Sequence, residues 1–89
     1  MGEQSERSLE EMVRVYSVPV KLYKSEINFL VHTFWDAGFD VKLGDQMNGF
    51  KASSCCGTWL DACEWLAERA CEHFPESNFY GWWARREDY

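Results

Sequence analysis

Residues 39–54, with the sequence FDVKLGDQMNGFKASS, have the clearest secondary-structure signal in the chain. Apolar and polar residues alternate over residues 39–43, the pattern of a strand with one buried face. A weaker alternation follows over residues 50–54, and the pair Asn48-Gly49 just before it is a typical hairpin turn signal. We therefore expect two antiparallel strands joined by a tight turn.

The segment before this hairpin predicts a helix over residues 25–38. Ser25 is a residue type that favours the N-cap position. The apolar side chains that follow have the spacing of one helix face; they are Ile27, Leu30, Val31 and Phe34. Gly38 suits the left-handed conformation in which many helices end.

The segment after the hairpin predicts a second helix. Thr58 and Asp61 form a capping-box-like start, and Pro75 marks the end because proline disfavours helical backbone at the residue before it. The expected core face of this helix consists of Trp59, Leu60, Cys63, Leu66, Ala67, Ala70, Cys71 and Phe74.

The N-terminal segment is open to two interpretations. Residues 13–22 are rich in β-branched side chains, which predicts a first strand with Pro19 at a bulge or an edge. Apolar residues also recur at helical spacing over residues 9–16, preceded by a candidate cap at Ser8. The second interpretation is a short N-terminal helix that leads into a strand over residues 18–22.

The aromatic-rich residues 78–84 predict a last strand, so the elements follow in the order βαββαβ. This is the order of the ferredoxin-like sandwich, an α+β fold with two helices on one face of an antiparallel sheet and the other face free. At 89 residues the chain predicts a single domain, 1–89, with a polar, disordered tail over residues 1–7.

The charge balance points to a basic partner. Nine Lys and Arg residues stand against 15 Asp and Glu residues, a net charge of −6. This excess of acids argues against direct nucleic-acid binding and against binding to anionic membranes. No apolar run approaches the ~20 residues of a membrane-spanning helix, and no signal-peptide pattern opens the chain, so we expect a cytoplasmic protein. Its natural complement is another protein with a basic surface.

The second predicted helix places an indole among carboxylates. At about 100° per residue, Trp65 shares the face opposite the core with four acids, namely Asp61, Glu64, Glu68 and Glu72. Tryptophan is enriched at binding hot spots, and surrounding charge sets partner choice. Phe29 also points away from the core stripe of the first predicted helix. We expect these six residues to form a partner-binding surface; the alternative is that Trp65 packs against a neighbouring segment and the acids only solubilise.

The aromatic C-terminal segment is the second candidate surface. In a strand, Phe79 and Trp83 share one side, whereas Tyr80 and Trp82 share the other. One pair can cover the core, which leaves aromatic rings from the set Tyr80, Trp82 and Trp83 to contact a partner or a second copy of the chain. The sequence leaves open whether this strand or the acidic helix face is the interface.

The cysteines do not have the spacing of a zinc site. The four are Cys55, Cys56, Cys63 and Cys71, with no C-x-x-C pair among them. Cys63 and Cys71 lie on the expected core face, where a thiol behaves as a small hydrophobe. Cys55 and Cys56 precede a helix N-terminus, which lowers thiol pKa values, so a reactive thiol there is the alternative to ordinary strand-end cysteines.

Catalytic and cofactor motifs are absent from the sequence. The two histidines, His32 and His73, have no serine or cysteine nucleophile placed beside them by any motif. We therefore expect no catalytic residue, no bound metal and no cofactor, and a protein that is not an enzyme.

This profile, small and acidic without a catalytic signature, is similar to that of phage-encoded inhibitors of host defence such as anti-restriction and anti-CRISPR proteins. The resemblance is one of composition and covers no motif. It implies an inhibitor or adaptor that binds a basic surface of a partner, such as a surface that binds nucleic acid. The alternative is a small regulatory or ligand-binding domain that forms a homodimer through its sheet.

Overall fold

Seven elements follow one another in the computed structural model, which describes residues 8–34 and 38–89. They are helices α1 (Leu9–Tyr16) and α2 (Val18–Lys24), strands β1 (Phe29–Phe34), β2 (Gly38–Asp45) and β3 (Gly49–Cys56), and helices α3 (Trp59–His73) and α4 (Asn78–Ala84). The chain is thus a small α+β domain whose described residues form a three-stranded antiparallel sheet and four helices. The ferredoxin-like arrangement is not confirmed, and the predicted tail over residues 1–7 lies outside the described residues.

The hairpin predicted over residues 39–54 is confirmed. Strand β2 lies at the centre of the sheet and pairs antiparallel with β3, for example Lys42 with Ser53. A bulge after Leu43 bends the ladder at Gly44, whose φ is +111°. A Cβ atom there would lie 2.6 Å from the carbonyl oxygen of Gly49, so only glycine fits the bulge.

The predicted helix over residues 25–38 is wrong, because residues 29–34 form strand β1. The apolar spacing of this segment fits a strand as well as a helix: Phe29 and Val31 face the core while Leu30 and Phe34 point to the open side. β1 pairs with the edge of β2 opposite β3 and satisfies its backbone groups. Gly38, the expected helix end, instead begins β2 with a φ of +91°.

The first strand expected over residues 13–22 is also wrong, and the N-terminal helix of the second interpretation is confirmed. The Ser8 hydroxyl accepts a hydrogen bond from the Glu11 amide at 3.1 Å and begins α1. The strand expected over residues 18–22 is helix α2 instead. Pro19 is tolerated there because it lies in the first turn of α2, where its missing N–H removes no intrahelical bond.

The last predicted strand, over residues 78–84, is helix α4. Ser77 caps it by accepting a hydrogen bond from the Tyr80 amide at 3.2 Å. Phe79, Trp82 and Trp83 follow the helical spacing i, i+3, i+4, so a single face of α4 brings all three rings to the core cluster. This common burial explains why the segment is helical although its aromatics also alternate in strand fashion.

Helix α3 is the central element of the fold. Its predicted start and its predicted end are both confirmed. The Thr58 hydroxyl accepts a hydrogen bond from the Asp61 amide at 3.0 Å, and the helix ends at His73, before Pro75. One side of α3 packs on β2 and β3, while α1, α2 and α4 pack around it. The extents of 46 × 36 × 18 Å fit one sheet layer and one helix layer. The opposite face of the sheet is open among the described residues.

Candidate interaction surfaces

Helix α3 holds its acidic face rigidly. Five of its residues are buried and anchor the opposite side; they are Ala62, Cys63, Leu66, Ala67 and Ala70. The predicted acids fall on the outer side, where Asp61, Glu68 and Glu72 are exposed and Glu64 is half-buried. We call this set of four acids the α3 acidic face.

The charges of this face differ in how far they are neutralised. Glu72 forms ion pairs with the Arg69 guanidinium at 3.1 Å and with the His73 imidazole, when protonated, at 3.7 Å. Asp61 and Glu68 form no ion pair with a described residue. Because these two carboxylates are exposed and uncompensated, they are the strongest acidic contacts that the face offers.

Trp65 does not lie on the solvent side, so its expected placement away from the core is wrong. Its ring is half-buried and packs against both buried clusters, including Val41, Cys56 and Ala62. The residue is at the border of the acidic face, and a side chain as large as indole reaches the sheet from there. Trp65 therefore holds α3 on the sheet, and the acids stand beside it.

Phe29 is likewise a packing residue. It lies on the inner side of β1 opposite Leu43 and packs, half-buried, against the main core cluster. The expectation that it points away from the core failed because the segment is a strand rather than a helix. Phe29 also lines a shallow surface groove next to Tyr23 and Lys24.

The aromatic residues of the second candidate surface are occupied within the chain. Trp82 and Trp83 pack against the core cluster and against each other, with ring centroids 5.8 Å apart. The Arg14 guanidinium lies over the Trp83 ring at 4.1 Å from its centroid, and the Lys21 ammonium lies 5.4 Å from that of Trp82. Tyr80 has the Arg85 guanidinium 5.6 Å from its ring. These rings face intramolecular cations, which disfavours them as a free binding surface.

Arg14 links the first helix to the last. Besides stacking on Trp83, its guanidinium donates a hydrogen bond to the Trp83 carbonyl oxygen, one of the last carbonyls of α4 without an intrahelical partner. Burial lowers the pKa of Arg14 from its ordinary value, with the charge of Arg86 as the second cause. Lys21 similarly donates to the Tyr89 main-chain oxygen, so residues beyond α4 lie against α2.

The open sheet face mixes apolar and polar side chains. Leu30, Phe34 and Phe50 are between 37% and 51% exposed on it. Between them an ion pair joins Asp40 to Lys42 at 3.5 Å, and the Lys42 ammonium lies 5.8 Å from the Phe50 ring centroid. This face therefore lacks a continuous apolar area.

A fourth surface, which the sequence reasoning missed, runs along α1 and α2. We call it the α1–α2 stripe, and it consists of Leu9, Val13, Tyr16, Val20 and Tyr23. Each of these residues is between 45% and 81% exposed. The signal is present in the alternating four- and three-residue spacing, but the strand predicted over residues 13–22 includes three of these residues, namely Val13, Tyr16 and Val20.

Three of the four thiols, those of Cys56, Cys63 and Cys71, are buried or half-buried, and burial works against their activation. Burial raises the pKa of the Cys63 thiol to about 11, with the charge of Glu64 as a smaller cause. Burial also raises the pKa of Cys56 and of Cys71, which contradicts an activated thiol at Cys56. Cys55 is exposed. Among residues 8–34 and 38–89, no group of three or more His, Cys, Asp and Glu side chains is arranged to hold a metal ion.

Comparison with known proteins assigns none of these surfaces. No protein-family model, no curated protein and no solved structure matches the chain. In the part of the chain that the structure describes, no helix combines the length and apolarity needed to cross a bilayer.

Proposed function

We propose that this chain is a non-enzymatic protein-binding domain, an inhibitor or adaptor, which presents the α3 acidic face to a basic surface of a partner protein. The observation that supports the proposal is the row of exposed carboxylates on a helix whose other side is fixed in the core. A rigid charged row needs little ordering when it binds, so less of the interaction free energy is lost to entropy.

The spacing of the acids sets the kind of contact. Residues 61 and 72 are separated by about 16 Å along α3, given a rise of 1.5 Å per residue. Duplex DNA has one charge per ~1.7 Å of axis, so four carboxylates over this length are too sparse to imitate a duplex. They match instead a few Lys or Arg side chains of a partner, such as a protein that itself binds nucleic acid.

The acids rather than Trp65 are the side chains to test. Because Trp65 packs against the core, replacing it removes packing as well as any contact with a partner. Asp61 and Glu68 are exposed, and their replacement by Gln removes both charges, preserving the side-chain shape at Glu68 and adding one methylene at Asp61.

The alternative, a domain that dimerises through its sheet, has less support. The open sheet face would have to bury the Asp40–Lys42 ion pair together with its apolar side chains. Desolvating an ion pair costs free energy that the attraction between the charges only partly returns.

The test is a comparison of proteins captured by three immobilised chains from a lysate of the native host. The first is the wild type and the second is Asp61→Gln/Glu68→Gln. The third is a matched control, Glu26→Gln/Asp88→Gln, which also removes two negative charges, but from exposed positions outside α3. For any protein that the wild type captures, the dissociation constant is then measured with purified components at about 50 and 200 mM salt.

We expect a basic protein that the wild type and the control variant bind equally, and that the α3 variant binds at least tenfold more weakly. The wild-type affinity should fall as salt rises, because exposed charge pairs are screened. Equal loss in both variants would show an effect of net charge rather than of this face. Equal binding by all three chains would show that the α3 acidic face makes no contact.

A further inference from the structure

The α1–α2 stripe is an apolar face that no described residue covers, on two helices that are already anchored. The inner side of the same two helices buries Val15, Val18 and Leu22 completely in the main core cluster. The fold therefore does not need the outer stripe for its own core. Five such side chains expose an area on the order of 500 Å², near the upper end of what a monomer leaves open.

The stripe is continuous across the junction of the two helices. Ser17, between them, has φ −83° and ψ −6°, which keeps the right-handed turn. The Ser17 amide donates to the Val13 carbonyl at 3.0 Å, and the Lys21 amide donates to the Ser17 carbonyl at 3.0 Å. At about 100° per residue, the five stripe residues then fall within an arc of about 80°.

The spacing of the stripe is that of a coiled-coil seam. Its residues are four, three, four and three positions apart, a mean of 3.5, which is the repeat with which one helix packs along another. Spacings of four and three residues alternate whether the stripe is followed from its N-terminal or from its C-terminal end. A two-fold axis near Tyr16 therefore brings the stripe of one copy against the same stripe of a second copy, with the helices antiparallel.

The flanking charges favour this antiparallel arrangement. Glu10 and Lys24 lie on the same side of the stripe, at its opposite ends, and both are exposed. Neither forms an ion pair with a described residue, and the Lys24 ammonium has a cation–π contact 5.0 Å from the Tyr89 ring centroid. In an antiparallel pair, Glu10 of each copy lies next to Lys24 of the other, whereas a parallel pair brings opposite sides of the two stripes together and forms neither contact.

A membrane surface fits the stripe less well. Interfacial helices have Lys and Arg along the border of the apolar face. Here Arg14 and Lys21 face Trp82 and Trp83 inside the domain, and the Lys24 ammonium lies 5.0 Å from the Tyr89 ring centroid, so cations beside the stripe are engaged within the chain. The chain is also acidic overall, so anionic lipid repels it.

We propose that the α1–α2 stripe is the interface of a homodimer in which the helix pairs of two copies pack antiparallel. A stable interface buries about 800 Å² per partner, most of which the stripe and its flanking residues supply. The dimer does not depend on the α3 acidic face, and it would give a partner two such faces to bind.

The first test is the mass of the chain in solution, measured by sedimentation equilibrium from about 1 to 100 µM. We expect the wild type to change from the 10.5 kDa chain to a species of twice that mass within this range. The variant Val13→Glu/Val20→Glu should remain monomeric with an unchanged circular dichroism spectrum, since both side chains are exposed. A wild type that is monomeric at every concentration overturns the proposal.

The second test addresses the antiparallel arrangement through charge exchange. Glu10→Lys alone and Lys24→Glu alone should each weaken the dimer about tenfold, since each creates two like-charge contacts. The double variant Glu10→Lys/Lys24→Glu should restore the wild-type dissociation constant. Single variants that leave the constant unchanged would exclude the antiparallel arrangement.

Three controls distinguish this dimer from other interfaces and ligands. Leu30→Ser/Phe34→Ser changes the open sheet face and should leave the dimer intact; loss of the dimer in this variant would assign the interface to the sheet. The wild type should not co-sediment with phosphatidylcholine/phosphatidylserine vesicles. Co-sedimentation that Val13→Glu/Val20→Glu abolishes would assign the stripe to a lipid surface instead. The variant Asp61→Gln/Glu68→Gln should dimerise normally, so failure of this proposal is distinguishable from failure of the proposed function.

Discussion

Arg14 should be the most important charged residue for the stability of this domain. Its side chain is only 15% exposed, stacks on Trp83 and caps the C-terminal end of α4 through the Trp83 carbonyl. Removing the charge therefore affects the packing of α1 against α4 and the end of α4 together. The informative variant is Arg14→Met, which keeps an unbranched apolar chain over the ring and deletes the guanidinium.

We expect Arg14→Met to lower the free energy of unfolding by about 2 kcal/mol. A hydrogen bond to a charged group contributes about 1.5–3 kcal/mol, and a cation–π contact about 0.5–2 kcal/mol. The two contributions share one charge and are offset by the cost of burying it, so they do not add in full. For a domain of this size, 2 kcal/mol corresponds to a fall of about 8–16 °C in Tm.

The assay is urea unfolding followed by far-ultraviolet circular dichroism and by tryptophan fluorescence, whose coincidence checks two-state behaviour. The matched control is Arg86→Met, because the Arg86 side chain is 66% exposed and only approaches Glu11 at 3.9 Å. The control should change the unfolding free energy by less than about 0.5 kcal/mol. A loss for Arg14→Met no larger than that of Arg86→Met would refute the capping role.

Two further outcomes follow from the backbone and the buried thiols. Gly44→Ala should lower the unfolding free energy by more than about 2 kcal/mol, because φ is +111° and the new Cβ atom would collide with backbone atoms. The control Gly57→Ala places its Cβ in open space and should change the unfolding free energy by less than about 1 kcal/mol. Equal effects of the two variants in urea unfolding would contradict the tight bulge. The pKa of the Cys63 thiol is raised to about 11 from 9.0, so the folded chain keeps this proton where the unfolded chain loses it. The contribution of the Cys63 thiol to the free energy of unfolding is fully present below pH 9. As pH rises from 9 to 11 this contribution, up to about 2–3 kcal/mol, is lost. Cys63→Ala should therefore show a shallower decline of unfolding free energy over this range than the wild type, and parallel curves would show that Cys63 does not titrate on unfolding.

Where a local signal has one structural meaning, the sequence predicted the structure correctly. The alternation at residues 39–43 and the Asn48-Gly49 turn specify a hairpin through side-chain period and backbone freedom alone. The cap at Thr58, the long apolar stripe and the stop at Pro75 likewise specify helix α3. The acidic net charge and the position of the carboxylates on α3 also needed no tertiary information.

Two short segments could not be assigned correctly from the sequence because their apolar spacing fits both a helix and a strand. Residues 29–34 became a strand because β2 has a second edge whose N–H and C=O groups need partners from elsewhere in the chain. Residues 78–84 became a helix because that conformation buries the Phe79 ring together with those of Trp82 and Trp83. Both decisions depend on distant residues that a local pattern does not contain.

The candidate surfaces also include features that local sequence predicts and features that depend on distant residues. The acidic outer side of α3 is predictable from the amino-acid sequence, since helical period and charge are local properties. Three other features depend on how the chain packs: Trp65 and Phe29 point inward, intramolecular cations occupy Trp82 and Trp83, and the α1–α2 stripe faces solvent. The physical reason is that exposure depends on which other elements cover a face, and burial of apolar area against them sets that choice for the whole chain at once.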